Sequence, residues 1–303
     1  MAGFQTRRAV ESDLPRLYDI WYHDEVAGEE DTPPPGPPHA GFAYSITRGE
    51  MRVAVDESGV ITGFGAIHTW PSAGGPLTYL SDLFVARDTQ SHGAGQALLS
   101  ALPMREGARC VMASRDPRAT ALYIRWGMRP QWPNYWLAAD TPDVARRLDT
   151  LPGAELQVTS ADIDDPELAR WDLASCGFER SQDLRWMVER RDAQPLWLSR
   201  GSERVGYAFV QRRCNELLWR PKSWIIGPVG ALTPDDAASC VGAVTRYAAE
   251  RAPTIRLAVP GPHPALTPLV EAGFLIVYLE TFLASEGAPP FDPTLYLPGG
   301  VYL

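Results

Sequence analysis

Apolar residues recur along the chain first at strand spacing, then at helical spacing, and then the whole alternation starts again. Thr6 to Ala9 reads as a short strand. Ser12 or Asp13 can cap a following helix that carries Leu14, Leu17, Ile20 and Trp21 on one face. Met51 to Val55 and Val60 to Thr69 form a hairpin around Asp56-Glu57-Ser58-Gly59, and Leu77 to Val85 supplies a third strand. The period then lengthens. Gly95 to Met104 places Ala97, Leu98, Ala101 and Leu102 on one helical face, with Pro103 disturbing its end. Cys110 to Ser114 is a buried strand, and Pro117 to Trp126 is a helix with proline in its first turn and Gly127 as its stop.

A polar stretch from Ala139 to Gly153 separates this series from the next. Leu156 to Val158 is a strand, Asp165 to Ala174 a helix, and Leu196 to Ser199 with Val205 to Gln211 a hairpin. Trp224 to Ala231, Pro234 to Arg251, Ile255 to Val259 and Pro264 to Ala272 continue as strand, helix, strand and helix, closed by Gly273. Trp126-Gly127-Met128 aligns with Ala272-Gly273-Phe274, so the order of elements implies a diverged internal duplication.

Composition narrows the function classes. At 303 residues the chain exceeds one ordinary core. A formal charge of −9 disfavours nucleic acid, whose binding needs cations against phosphates, and suits a cationic partner better. The amino-terminal residues lack an apolar signal core and no long apolar run suggests a membrane span, so a cytoplasmic protein without membrane partners is expected. Cys110, Cys176, Cys214 and Cys240 are widely spaced and read as buried small hydrophobes rather than a zinc site or disulfide framework, and no metal is expected. His23, His39, His68 and His92 are scattered.

The chemistry concentrates at a strand that enters a helix through a glycine-rich turn, Leu83-Phe84-Val85 followed by Gln90-Ser91-His92-Gly93-Ala94-Gly95. Such a turn offers unpaired backbone N–H groups and the positive end of a helix to a phosphate, and Gly93 and Gly95 remove the Cβ atoms that would obstruct a diphosphate. The run Leu83-x-Val85 with Gln90-x-x-Gly93-x-Gly95 resembles motif A of the GNAT acetyltransferase superfamily. Asp116-x-x-Ala119-x-x-Leu122-Tyr123-x-x-x-Gly127-Met128 resembles its motif B, and Arg7-Arg8-Ala9 to Asp13-Leu14-x-x-Leu17 resembles its opening strand and helix. Asp116 stands where the family has Asn, and Arg87 where it often has Pro.

The resemblance implies acetyl-CoA as cofactor, held by Leu83, Phe84, Val85, Gln90, Ser91, His92, Gly93, Ala94, Gly95, Gln96, Asp116, Ala119, Leu122 and Tyr123. In this reading the Val85 N–H bonds the acetyl carbonyl, and the Tyr123 phenol, protonated at neutral pH, protonates the departing thiolate. Polyamine-acetylating members carry Glu-Asp where this chain has Ser81-Asp82. The base therefore stays open between Asp82, which strand alternation turns to the opposite face, and a water chain held by Ser81 and Tyr79. Asp24 and Glu25, in an acidic loop running to Asp31, are the candidate acceptor-binding residues together with Tyr79.

In the second half Ala231-Leu232-Thr233-Pro234-Asp235-Asp236 replaces the phosphate turn, its carboxylates would repel a diphosphate, and Leu269 replaces Tyr123. The resemblance thus implies a mixed α/β protein of two tandem GNAT-like domains, each a mostly antiparallel sheet flanked by helices. Residues 1–140 form the catalytic domain, 141–154 a linker, 155–290 a degenerate domain and 291–303 an apolar tail that packs back on a domain or a partner. The expected activity is acetyl-CoA-dependent N-acetylation of a small-molecule amine by a monomer or homodimer. The alternatives are a non-catalytic acyl-CoA-binding module or transfer of a different acyl group.

Overall fold

The computed structural model describes residues 4–38, 40–104, 107–214, 217–285 and 290–300. His39, and Val301 to Leu303 of the tail, lie outside them. The first half runs β1 (Gln5–Arg8), α1 (Leu14–Glu25), α2 (Ala40–Arg48), β2 (Glu50–Val55), β3 (Ile61–Trp70), β4 (Leu77–Val85), α3 (Ala94–Ala101), β5 (Ala108–Ala113), α4 (Pro117–Arg125) and β6 (Met128–Asp140). After α5 (Thr141–Val144) the same series returns as β7 (Gln157–Ser160), α6 (Pro166–Cys176), α7 (Ser181–Arg191), β8 (Ala193–Arg200), β9 (Glu203–Gln211), β10 (Trp224–Ala231), α8 (Pro234–Ala249), β11 (Thr254–Pro260), α9 (Leu266–Glu271) and β12 (Leu275–Ser285), followed by β13 (Tyr296–Leu297). The aligned glycines fall on the same bend in both halves, Gly127 at φ +81° between α4 and β6 and Gly273 at φ +100° between α9 and β12.

Several elements differ from the sequence reading. Helices α2 and α7 and strands β6 and β12 were not anticipated: each mixes polar and apolar residues without a clean period, and tertiary contact decides their form. Helix α3 ends at Ala101 rather than Met104, two residues ahead of Pro103. Asp24 and Glu25 belong to the last turn of α1 and not to the loop beyond it. Asp13 stands at the N-cap of α1 without capping it through its side chain, because its carboxylate takes both Arg7 guanidinium bonds, at 2.7 and 2.9 Å, and the Val10 N–H. The proline-rich segment after it is pinned, with the Tyr22 hydroxyl donating to the Pro33 carbonyl at 2.6 Å and the Gly36 N–H donating to the Tyr18 hydroxyl at 2.8 Å.

The architecture is mixed α/β. Strands join in one sheet in the order β1-β2-β3-β4-β5-β12-β6-β11-β10-β9-β8-β7, with β13 added beside β10. All neighbours are antiparallel except β4 with β5 and β10 with β11. Strand β12 of the second half lies between β5 and β6 of the first, and β6 lies between β12 and β11, so each half contributes its last strand to the other.

Helix α8 packs Val241, Val244 and Ala248 onto Ile226 and Leu257 of the second half. Burial on this scale contributes about 1.5–3 kcal/mol for each large aliphatic side chain. Residues 141–154 are part of that packing, with Val144, Leu148 and Leu151 buried against it. A second core, rich in aromatics, joins the halves: Trp70 stacks on Phe178 at 4.6 Å and Tyr44 on Trp186 at 4.7 Å. At its centre Asp183 of α7 accepts from the Tyr44 hydroxyl and the Trp70 indole, both at 2.7 Å. Tyr44→Phe removes one of these bonds while Trp70 still serves the carboxylate. It is expected to cost about 1–3 kcal/mol, seen as a lower urea midpoint with an unchanged slope.

Candidate active site

Strands β4 and β5 pair only from Leu77 opposite Ala108 to Leu80 opposite Val111, and then part. The parting begins at a bulge: Leu80 faces Ile67 and Asp82 faces Ala66, which leaves Ser81 as the extra residue. That bulge corrects the expectation that Ser81 and Asp82 turn to opposite faces. Their side chains meet, the Ser81 hydroxyl donating to Asp82 Oδ2 at 2.7 Å and lying 3.3 Å from the Ala66 carbonyl. Burial raises the Asp82 carboxyl to about 6, against the lowering effect of the Ser81 bond.

Below the open end of β4 the chain turns through Gln90 to Gly93 into α3. Ser91 has φ +67° and Gly93 φ +99°. Gly93 is the N-cap of α3 and has no side chain to bond the first turn, whose N–H groups point out unclaimed by any cap. A Cβ at Gly93 would meet open space, and one at Gly95 would touch Leu122 and Val85 only at 3.8 Å, so the turn is open to a group the size of a phosphate. The Gln90 amide ties the turn to β4 by donating to the Val85 carbonyl at 3.1 Å, and Arg118 donates to Gln90 Oε1 at 3.0 Å. Arg118, missed in the sequence reading, places a cation beside the turn. Ser91, His92 and Gln96 are exposed, whereas Ala94 is buried and packs into the core with Leu98 and Ala54.

Asp116 acts as the N-cap of α4, its Oδ1 accepting from the Arg118 N–H at 2.8 Å, and the Arg118 side chain holds its carboxyl below the usual range. Seven residues on, Tyr123 is 5% exposed, near Ala119 and Leu122 in a core that includes Leu80 and Val111. Among the described residues nothing hydrogen-bonds its hydroxyl. Burial, with Asp116 and Asp82 nearby, pushes the phenol well above its ordinary range, so it stays protonated.

The other wall of the cleft comes from both halves. Glu25 is exposed at the rim, yet enough protein surrounds it that dehydration, with Asp24 and Glu280 adding to it, lifts its carboxyl to about 7. Asp24 is raised as well, by desolvation against the pull of Arg87. Tyr79 is buried, packs on Trp70, and lines a small cavity with Met112, Asn134, Trp136, Ala258 and Glu280. Asn134 and Trp136 of β6 and Tyr278 and Glu280 of β12 were missed in the sequence. Their one signal was the duplication, which predicts a strand after Gly273 as after Gly127. A loop of the second half closes the rim, where the Trp219 indole donates to the Asp31 carbonyl at 3.0 Å.

The equivalent cleft in the second half is filled. Strand β10 pairs with β11 only from Trp224 to Ile226, and beyond it the tail strand β13 lies against Val229 and Gly230 of β10. Tyr296 and Leu297 are fully buried there, over the Arg180–Asp172 ion pair at 2.7 Å. Asp235 and Asp236 occupy the first turn of α8, where α3 has an uncapped glycine turn. Among the described residues no group of His, Cys, Asp and Glu is arranged to hold a metal, and no helix is long and apolar enough to cross a membrane.

Residues 14–128, which hold the turn, the bulged strand and Tyr123, match the model of the Acetyltransferase (GNAT) family. That match covers 115 of the 303 residues, all of them in the first half. Solved structures extend the likeness in fold to the whole chain. A putative acetyltransferase from Pyrococcus horikoshii aligns with a TM-score of 0.70 at 15% identity, over 100% of this chain and 95% of that one. A tandem GNAT protein from the clavulanic acid biosynthesis pathway aligns at 0.60 and 14% identity, over 95% and 99%. A GCN5-related N-acetyltransferase from Sphaerobacter thermophilus gives 0.58 at 14%, over 95% and 97%. No curated protein matches in sequence. In fold, the chain thus resembles two GNAT-like domains in tandem.

Proposed function

We propose that this protein is an acetyl-CoA-dependent N-acetyltransferase acting on the amine of a small molecule, with its working site in the first half, within residues 1–140, and a structural second half. The observation that carries this reading is the uncapped turn at Gly93 set beside the parted strands and the unbonded hydroxyl of Tyr123. Backbone N–H groups of residues 91–96 and Arg118 hold the diphosphate. The edge of Leu83, Phe84 and Val85, which has no strand beside it, receives the pantetheine arm. Acetyl-CoA supplies the activated thioester. The Val85 N–H would polarise the acyl carbonyl while the amine attacks, and the Tyr123 phenol would give its proton to the departing sulfur.

For the base, the bulge favours Asp82. A carboxylate that Ser81 orients and that titrates near 6 is ionised at neutral pH and can take the proton of an ammonium. Because only the ionised form accepts a proton, kcat/KM is expected to rise with pH through about 6 and level off. Asp82→Asn should abolish that limb. A pH–rate profile identical in wild type and variant excludes Asp82 as the base.

The reading itself is tested by measuring acetyl-CoA affinity and thiol release against a panel of primary amines. Tight binding without turnover on any amine supports instead a non-catalytic acyl-CoA-binding module, and turnover only with longer acyl-CoA thioesters a different acyl donor.

A further inference from the structure

Strand β12 brings a carboxylate from the second half into the amine side of the first half's cleft. Glu280 stands directly opposite Asn134 in the β12–β6 register. Glu280 Oε2 accepts from Asn134 Nδ2 at 3.1 Å and from the Trp136 indole N–H at 3.0 Å, which fixes the carboxyl group. Its Oε1 has no hydrogen bond among the described residues.

Asn134 is 1% exposed, its amide nitrogen is committed to Glu280, and among the described residues its carbonyl oxygen is an acceptor with no donor. Both side chains line a cavity shared with Tyr79, Met112, Trp136 and Ala258 and closed by Pro298 and Gly300 of the tail. A buried acceptor is ordinarily satisfied, and a buried carboxylate ordinarily paired. Arg256 stacks over the Trp136 indole and its charge favours ionised Glu25, but among the described residues no bond joins it to Glu280. Burial raises the Glu280 carboxyl, against the lowering effect of its Asn134 and Trp136 bonds. Asn134 Oδ1 and Glu280 Oε1 are left as acceptors without a donor among the described residues, beside the Tyr79 phenol and a Trp136 N–H already spent on Glu280, a set that an ammonium group with its three N–H bonds complements.

We propose that Glu280 and Asn134 form an ammonium-binding subsite, so that the acceptor is a diamine whose second, non-reacting nitrogen is anchored by a strand of the second half. This deepens the acetyltransferase reading and rests on it. Along β4 about 10 Å separates Tyr79, at the subsite, from Asp82, at the reacting end; less the roughly 3 Å of a hydrogen bond at one end, two nitrogens about 6–10 Å apart span it, as on an alkyl chain of roughly four to seven carbons. Glu25 at the rim, its carboxyl lifted to about 7, adds a further acceptor along the path.

The test compares 1,4-diaminobutane through 1,7-diaminoheptane with n-alkylamines of the same length, in wild type and Glu280→Gln. The glutamine keeps an acceptor oxygen for Asn134 and Trp136, and unchanged acetyl-CoA affinity reports an intact fold. The best diamine is expected to have a KM at least about tenfold below its monoamine, and Glu280→Gln to raise that KM about tenfold or more while leaving the monoamine KM unchanged. Equal use of diamines and monoamines, or an equal shift of both in the variant, overturns the subsite. If no amine is acetylated, calorimetry with CoA-loaded protein decides. Diamine binding that Glu280→Gln abolishes upholds the subsite and sinks only the acetyl-transfer reading; no diamine binding at millimolar concentration overturns the subsite.

Discussion

Gly93→Glu is expected to weaken acetyl-CoA binding by at least about 100-fold, or roughly 2.7 kcal/mol. Two effects combine. At φ +99° any side chain is strained, at about 1–2 kcal/mol. The carboxylate also brings negative charge to the site where N–H groups and the helix end await a diphosphate. Because a Cβ there meets open space, the variant retains its fold and loses its ligand. Gly93→Ala separates the effects, since it carries the strain without the charge. Isothermal titration of both variants is the measurement, and Gly93→Glu binding acetyl-CoA as tightly as Gly93→Ala removes the phosphate role of this turn.

Tyr123→Phe is expected to lower turnover by about 10²–10⁴, with acetyl-CoA affinity little changed. The hydroxyl makes no hydrogen bond among the described residues, so its removal leaves no orphaned partner and the ring still packs near Leu80 and Val111. Loss therefore falls on kcat rather than on folding or cofactor binding. Burial holds the phenol above its ordinary range, so the wild-type rate has no alkaline limb from this group below pH 10. Turnover that survives the substitution removes Tyr123 as the acid.

The glycine turn and the tyrosine were legible because each is a local pattern: residues a few positions apart fix both the backbone shape and the chemistry. The duplication was legible from the order of periods. The bulge at Ser81 was not, since nothing within β4 announces an extra residue; it exists in the pairing with β3, and strand alternation alone set Asp82 on the wrong side. Glu280 was hidden for a stronger reason. It lies nearly 200 residues from Ser81, in an apolar run with no evident period, and it reaches the cleft only because two strands change places. Likewise the tail read as apolar enough to pack back, but its docking beside β10, where the first half leaves its cleft open, is a fact of pairing.

The exchange of β6 and β12 also governs when the molecule can assemble. During synthesis the segment Met128–Asp140 emerges long before Leu275–Ser285, the neighbour that separates it from β5, and before Thr254–Pro260, which borders its other side. Until then both of its backbone margins are unmatched, a situation that invites association between nascent chains. Acquisition of a finished sheet is thereby deferred until Leu275–Ser285 has been made, and a polypeptide released before that lacks one wall of its own cleft.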